Sequence, residues 1–368
     1  MQEMRKVVFP LSRLPEELVL EILLRLPVRS LLQFRSVCKL WKTLIDNPQF
    51  AKVHLRTSAS HGSTAHLQLA SPIVEDSKIL SYSVESVFQN PSLPVEGHSY
   101  TMDAKYTILG SCNGLLCLSD LYKRHVILLN PSTRLQSQRF PISVLPQPSL
   151  SHYGFGYDHV NDKYKLLVAD FTQTVTKIYT FGSSSNSNSN SNCCRVIQNF
   201  PCHLTKRAGK FVSGTLNWMA KREEHGCERR MILSFDLGKE TYGEVLLPEG
   251  ERDRICSPLL DVLHCCLCVC FSDCKKGHWV VWLMKEYGVH HSWTKLMVIP
   301  YINHGIIRWS YMFAPLCISE NSVLLLKTKS SRLALYHFNH DRMNYLRIVG
   351  PLGFDFHLYH QSLISPLF

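Results

Sequence analysis

The run His264-Cys265-Cys266-Leu267-Cys268-Val269-Cys270-Phe271-Ser272-Asp273-Cys274, with His278 beyond it, is the densest collection of metal-ligating side chains in the sequence. Zinc takes its ligands from a Cys-x2–4-Cys knuckle and a second pair that a turn brings round. Here Cys266, Cys268 and Cys270 alternate with Leu267 and Val269, so along a strand the three thiols project from one face. Three in a row cannot wrap a tetrahedral ion without a bend. The pattern reads as buried thiols on a β-strand, with no metal and no cofactor.

Fourteen cysteines and eighteen histidines could contain a nucleophile and its base, but no spacing selects a pair. The sequence has no Gly-x-Ser-x-Gly, no P-loop and no His-Glu-x-x-His. Gly154-Phe155-Gly156 lacks a third glycine and sits among turn residues. No motif selects an enzymatic chemistry, and the expectation is a non-enzymatic protein. Trp279, Trp282 and Trp293, beside Lys and Arg, could stack nucleic-acid bases. Tryptophans on strands more often pack sheets, which makes nucleic acid a minor reading.

The elements that carry these residues come from a chain of 368 residues, 45% hydrophobic and 19% charged. Such a composition excludes wholesale disorder and predicts a folded, β-rich protein of more than one unit. The formal net charge is +11. Residues 1–60 hold ten Lys/Arg against Glu3, Glu16, Glu17, Glu21 and Asp46, so +5 of it falls in the first sixth. That pattern fits an acidic partner for the N-terminal segment or simply a basic surface; charge alone leaves both open. The start, MQEMRKVVFP, is no signal peptide, and no glycosylation sequon occurs. The most apolar stretch, Val262–Ser272, is far short of the roughly 20 residues a membrane helix needs. The expectation is reduced thiols, no membrane, and a location in the cytoplasm, the nucleus or both.

Two regimes meet near residue 60. Before it the pattern is helical. Pro15, with Glu16 and Glu17 at the positive end of the dipole, opens a helix to about Arg25 that stops before Pro27. Leu31–Val37 and Cys38–Ile45 predict two more helices, and Pro48–Leu55 a further turn. The first helix is apolar on two sides, with Leu18, Val19, Ile22, Leu23 and Leu26 on one and Leu20 and Leu24 opposite. So small a unit is left with a surplus of apolar side chains that must pack on a partner or on the rest of the chain.

After residue 60 a hairpin recurs: apolar strand, polar turn, second strand. Its strand ends at Asn130, Phe181, Asp236, Glu286 and Asn339 are 51, 55, 50 and 53 residues apart, with a weaker copy near Ser83. Four-stranded units at about 50 residues are the kelch-like propeller interval, the alternative being a β-sandwich. The tract SSSNSNSNSN at 183–192 predicts a mobile loop inside one hairpin. The composition break predicts two cores joined by a short connection, so that residues 60–368 would fold alone.

The segment LSRLPEELVLEILLRLPVRSLLQFRSVCKLWKTLIDNPQF resembles an F-box. The matching positions are Leu14-Pro15, Leu26-Pro27-Val28, Ser30-Leu31, Phe34-Arg35-x-Val37-Cys38 and Lys39-x-Trp41. Beyond it, SCNGLLCL (111–118), LNPSTR (129–134), YGFGYD…NDKYKLL (153–167), GKFVSGTLNWMA (209–220), ILSFDLGKETYGEVLLPE (232–249) and VWLMKEYGVHHSWTKL (281–296) resemble the F-box-associated domain of plant F-box proteins. Neither a Gly-Gly pair nor a Trp-Asp dipeptide occurs, so the resemblance is to neither true kelch nor WD-type propellers.

The resemblance implies an α+β multidomain chain. A tail (1–10) precedes a three-helix F-box (11–56), a connection with the first strands (57–99), and an all-β kelch-like propeller (100–368) whose C-terminal strand joins the first blade. It implies docking on a Skp-type adaptor through Leu14, Pro15, Leu18, Ile22, Leu23, Leu26, Pro27, Leu31, Val37, Cys38, Trp41, Leu44 and Ile45. The adaptor would in turn join the chain to a cullin–RING scaffold. The implied function is the substrate-recognition subunit of an SCF-type ubiquitin ligase, its protein substrate unspecified. The alternatives are a binding module that uses the adaptor without ubiquitination, or a propeller that binds nucleic acid.

Overall fold

The computed structural model describes residues 15–60, 64–73, 75–91, 97–120, 122–143, 151–170, 175–182, 193–224, 226–249, 258–273, 275–301, 313–328, 332–347 and 356–367. Leu14 and the 183–192 tract lie outside them.

Four helices come first: α1 (Glu16–Leu24), α2 (Val28–Phe34), α3 (Lys39–Asp46) and α4 (Pro48–Ser60). The second begins three residues before the expected Leu31 and ends before Val37. Pro27, held extended at φ −60 and ψ 147, acts as its N-cap, so the helix starts on the next residue. Cys38 is likewise extended and caps α3, its sulfur accepting from the Trp41 amide at 3.5 Å. The expected fourth turn is a full helix of 13 residues. Val19, Leu23, Leu31, Ile45 and Phe50 close a small core among these helices.

Six antiparallel sheets follow, each of four or five strands. The six marker positions all fall at or just past the end of a blade's third strand: Ser83, Asn130, Phe181, Asp236, Glu286 and Asn339. Blade 1 is built from Leu67–Ile73, Lys78–Ser83 and His98–Thr101, with His357–His360 added as its innermost strand. A propeller closed in this way joins its two ends by hydrogen bonds and leaves no open seam. A short helix, α5 (Val84–Gln89), follows the third strand of blade 1, and its Val84 and Val87 join the core shared by blades 1 and 6.

Each blade buries both faces. Trp218 has no exposed surface, and the backbone of Gly209 lies against its indole, where a Cβ would overlap the ring. That close approach accounts for the glycine in GKFVSGTLNWMA.

The antiparallel order fixes which connections share an end of the ring. Turns from first to second strand, and from third to fourth, lie at one end. Second-to-third turns and the connections between blades lie at the other. Lys52 of α4 reaches Asp162 in the first-to-second turn of blade 3, with Nζ–Oδ1 at 2.7 Å, so the helices sit at the first of these ends.

Candidate adaptor-docking surface on the helical domain

Packing divides the residues named from sequence. Leu23 and Leu31 have no exposed surface and Ile45 is 3% exposed. They hold the helical core and offer nothing to a partner, a correction to their placement on the docking surface. The physical reason is that Leu18, Val19, Ile22 and Leu23 form one broad apolar stripe and a helix wheel does not say how much of it is enclosed; α4, through Phe50, encloses the Val19/Leu23 part and leaves Leu18 and Ile22 outside. Leu26, Cys38, Trp41 and Leu44 are half-buried at the margin of that core, while Pro15 and Pro27 are exposed.

The surplus lies outside. Leu18 is 47% exposed, Ile22 50%, Val37 51% and Leu40 46%. Leu40 was missed from sequence as a surface residue; its place one residue before Trp41 on a short helix was the available signal. Around this apolar set Arg29, Lys39 and Lys42 are exposed and have no ion-pair partner among the described residues. Arg35 is held by Asp46 at 2.7 Å and Arg25 lies 3.8 Å from Glu21. An open depression beside α3 is lined by Lys39, Lys42, Thr43, Asp46, Asn47 and Pro48. An apolar face with a basic rim can bury itself on a protein whose own face is apolar and acidic.

The helices are fastened to the ring. Phe50 of α4 enters the helical core, while Ala51 and Leu55 of the same helix pack among the residues of blades 2 and 3. Leu363 of the C-terminal tail touches both cores. His54 Nε2 lies 2.8 Å from the Leu26 carbonyl, and its ring meets that of His66 edge-on at 6.4 Å. Burial lowers the pKa of His54 and of His66 and takes His360 down to about 4, so neutral imidazoles fill this junction.

The cysteine strand behaves as a core element. Cys268 and Cys270 are buried against Trp279, Val281 and Leu324. The hydrogen bond with Cys270, together with burial, pushes the Cys268 thiol well above its usual range. Among the described residues no group of three or more His, Cys, Asp or Glu is placed to hold a metal ion. The tryptophans proposed as base-stacking platforms are not exposed platforms. Trp279 and Trp293 are buried, Trp293 donates to the Leu246 carbonyl, and Trp282 packs on the core of blades 4 and 5.

A helical unit carrying an outward apolar face, seated on one end of a six-bladed ring, defines a propeller protein with a separate helical module. Residues 71–364 match the F-box associated beta propeller domain and residues 11–52 the F-box domain, so the chain belongs to the F-box proteins with a C-terminal F-box-associated propeller. It is similar to the F-box/kelch-repeat protein At3g23880 of Arabidopsis thaliana, at 30% identity over all of this chain and 99% of that one. It is also similar to the Arabidopsis F-box protein CPR1, at 29% identity over 96% of this chain and 89% of that one. F-box domains generally bind Skp-type adaptors, and F-box proteins with propellers are generally adaptors themselves rather than enzymes.

Proposed function

We propose that this protein is the substrate-recognition subunit of an SCF-type ubiquitin ligase, acting in the cytoplasm or nucleus. The F-box face of Leu18, Ile22, Val37 and Leu40 docks on a Skp-type adaptor, which links the chain to a cullin–RING scaffold, and the propeller holds the protein to be ubiquitinated. The chain makes and breaks no bond; it raises the local concentration of substrate near a charged conjugating enzyme. The observation that carries the reading is an apolar face left outside a helical core that is already closed.

The test separates surface from core. Leu18→Asp should abolish co-purification with a Skp-type adaptor while leaving the melting temperature unchanged, because truncating a central interface anchor commonly costs about 2 kcal/mol or more. Leu23→Asp should instead unfold the helical domain. Adaptor binding that survives Leu18→Asp together with Ile22→Asp in a folded chain would refute the assignment. Cullin in the same purification distinguishes a ligase subunit from a module that uses the adaptor alone.

A further inference from the structure

The two ends of the ring differ in charge. On the ring at the end that bears the helices, exposed charges outside ion pairs come in equal number among the described residues, as Arg134, Lys239, Lys285 and Arg342 against Glu85, Glu286, Glu320 and Asp341. The far end is different. There Lys123, Arg124, Lys275, Lys276, Arg332 and Arg347 are exposed with no ion-pair partner among the described residues. They stand on the second-to-third turns of blades 2, 5 and 6 and on the connection from blade 6 to blade 1.

Among the described residues, the carboxylates at that end are mostly occupied. Asp103 pairs with Arg139, Glu224 with Arg229 at 3.4 Å, and Glu228 with Lys221 at 2.8 Å. Asp120 is buried and accepts from the amides of Tyr122 and Lys123. Glu75, Glu223 and Glu249 are the exposed exceptions among the described residues.

A second observation points the same way. Arg207 lies in the connection between blades 3 and 4, next to Ala208, which bridges Tyr153 on the innermost strand of blade 3. Its Nη1 is buried with no acceptor among the described residues. A guanidinium N–H taken out of water without an acceptor is held at a cost that an incoming anion removes. Tyr122, 71% exposed beside Lys123 and Arg124, adds an aromatic contact for a peptide.

We propose that the end of the propeller opposite the F-box is a docking surface for an acidic, extended stretch of protein, its negative charge supplied by Asp and Glu or by phosphate. This rests on the substrate-receptor reading and names the chemistry of the substrate. The placement leaves the helical face free, so that adaptor and acidic segment occupy opposite ends. Trp279 and Trp293 are buried and offer nucleic-acid bases no stacking platform, which favours a polypeptide over a nucleic acid.

The test is fluorescence anisotropy of the full chain with four labelled probes: a mixed Asp/Glu peptide, a phosphoserine peptide, a Ser/Gly peptide of equal length, and a single-stranded RNA. At least one anionic peptide should bind, the neutral one should not, and affinity should fall steeply with added salt. K275E/K276E combined with R347E should weaken binding about tenfold or more, with K123E/R124E acting in the same direction, while K39E/K42E on the helical domain leaves it unchanged. The two anionic arms distinguish carboxylate from phosphate. Binding of neither anionic peptide, binding insensitive to the far-end reversals, or RNA bound more tightly than either peptide would each overturn the proposal. Adaptor co-purification of the same variants reads the F-box assignment separately, since none of the far-end changes touches that face.

Discussion

Asn130, the asparagine of LNPSTR, shows how one side chain joins distant parts of the chain. Its Oδ1 accepts from the amides of Ser132 and Thr133, making the turn, while its Nδ2 donates to the carbonyls of Ser362 and Ile364 at 3.0 and 2.7 Å. Asn130→Ala should lower stability by about 1–3 kcal/mol in urea unfolding, since it leaves buried carbonyls without donors. Gly114 meets the same tail from the other side. It holds φ +79, and a methyl there would overlap Ser362 Oγ, which itself donates to the Asn113 carbonyl. Gly114→Ala should therefore reduce the melting temperature, and adding Ser362→Gly should restore part of the loss; a larger loss in the double variant would place the strain elsewhere. The asparagines and glycines of these motifs were legible as turn residues. The tail they clamp was not, because it lies more than 200 residues away in sequence.

The helix α4 and the C-terminal tail are the elements that make the two domains one body. A cut at the expected boundary near residue 60 would remove Ala51 and Leu55, which complete the core under blades 2 and 3. A fragment starting at residue 60 should melt lower than one starting near residue 47, by the loss of two apolar contacts and of the Lys52–Asp162 pair. Differential scanning fluorimetry of the two fragments checks this. Removing residues 357–368 takes away the innermost strand of blade 1 and should unfold the ring.

The junction also gives a pH dependence. His360 is neutral in the folded protein, with a pKa of about 4 against about 6.5 unfolded. A depressed folded value means the unfolded chain binds the extra proton. The stability of the junction is therefore whole above about pH 6.5 and is lost as pH falls toward 4. Urea unfolding between pH 7.5 and 5 should show this loss, and His360→Asn should flatten the slope.

At the scale of the molecule, the proposed adaptor face and the proposed acidic-segment surface lie at opposite ends of the ring. A chain lacking α1–α3 but keeping α4 should still bind substrate and lose the adaptor, so that overproducing it protects the substrate from degradation. A fragment that folds yet binds nothing the full chain binds would defeat this arrangement. The tract at 183–192 leaves from paired strands, with Thr180 opposite Cys193, at the third-to-fourth turn of blade 3. Shortening it should change the melting temperature little, because halving a loop alters closure entropy by only about 0.6 kcal/mol.

The sequence by itself determined the division into helical and β regimes, the interval of about 50 residues and the apolar surplus of the first helix, since each follows from local pattern. It also determined that Cys268 and Cys270 share a buried face, because alternation along a strand requires it. Tertiary structure decided which part of the apolar stripe of α1 is core: Leu23 goes inside and Leu18 outside only because α4 lies where it does. It decided that the last strand belongs to the first blade and that Leu363 touches both cores. It decided, too, that cations from four separate connections gather at one end of the ring. These are long-range pairings, and no spacing in the chain encodes them: the same local pattern is satisfied whichever distant segment provides the contact.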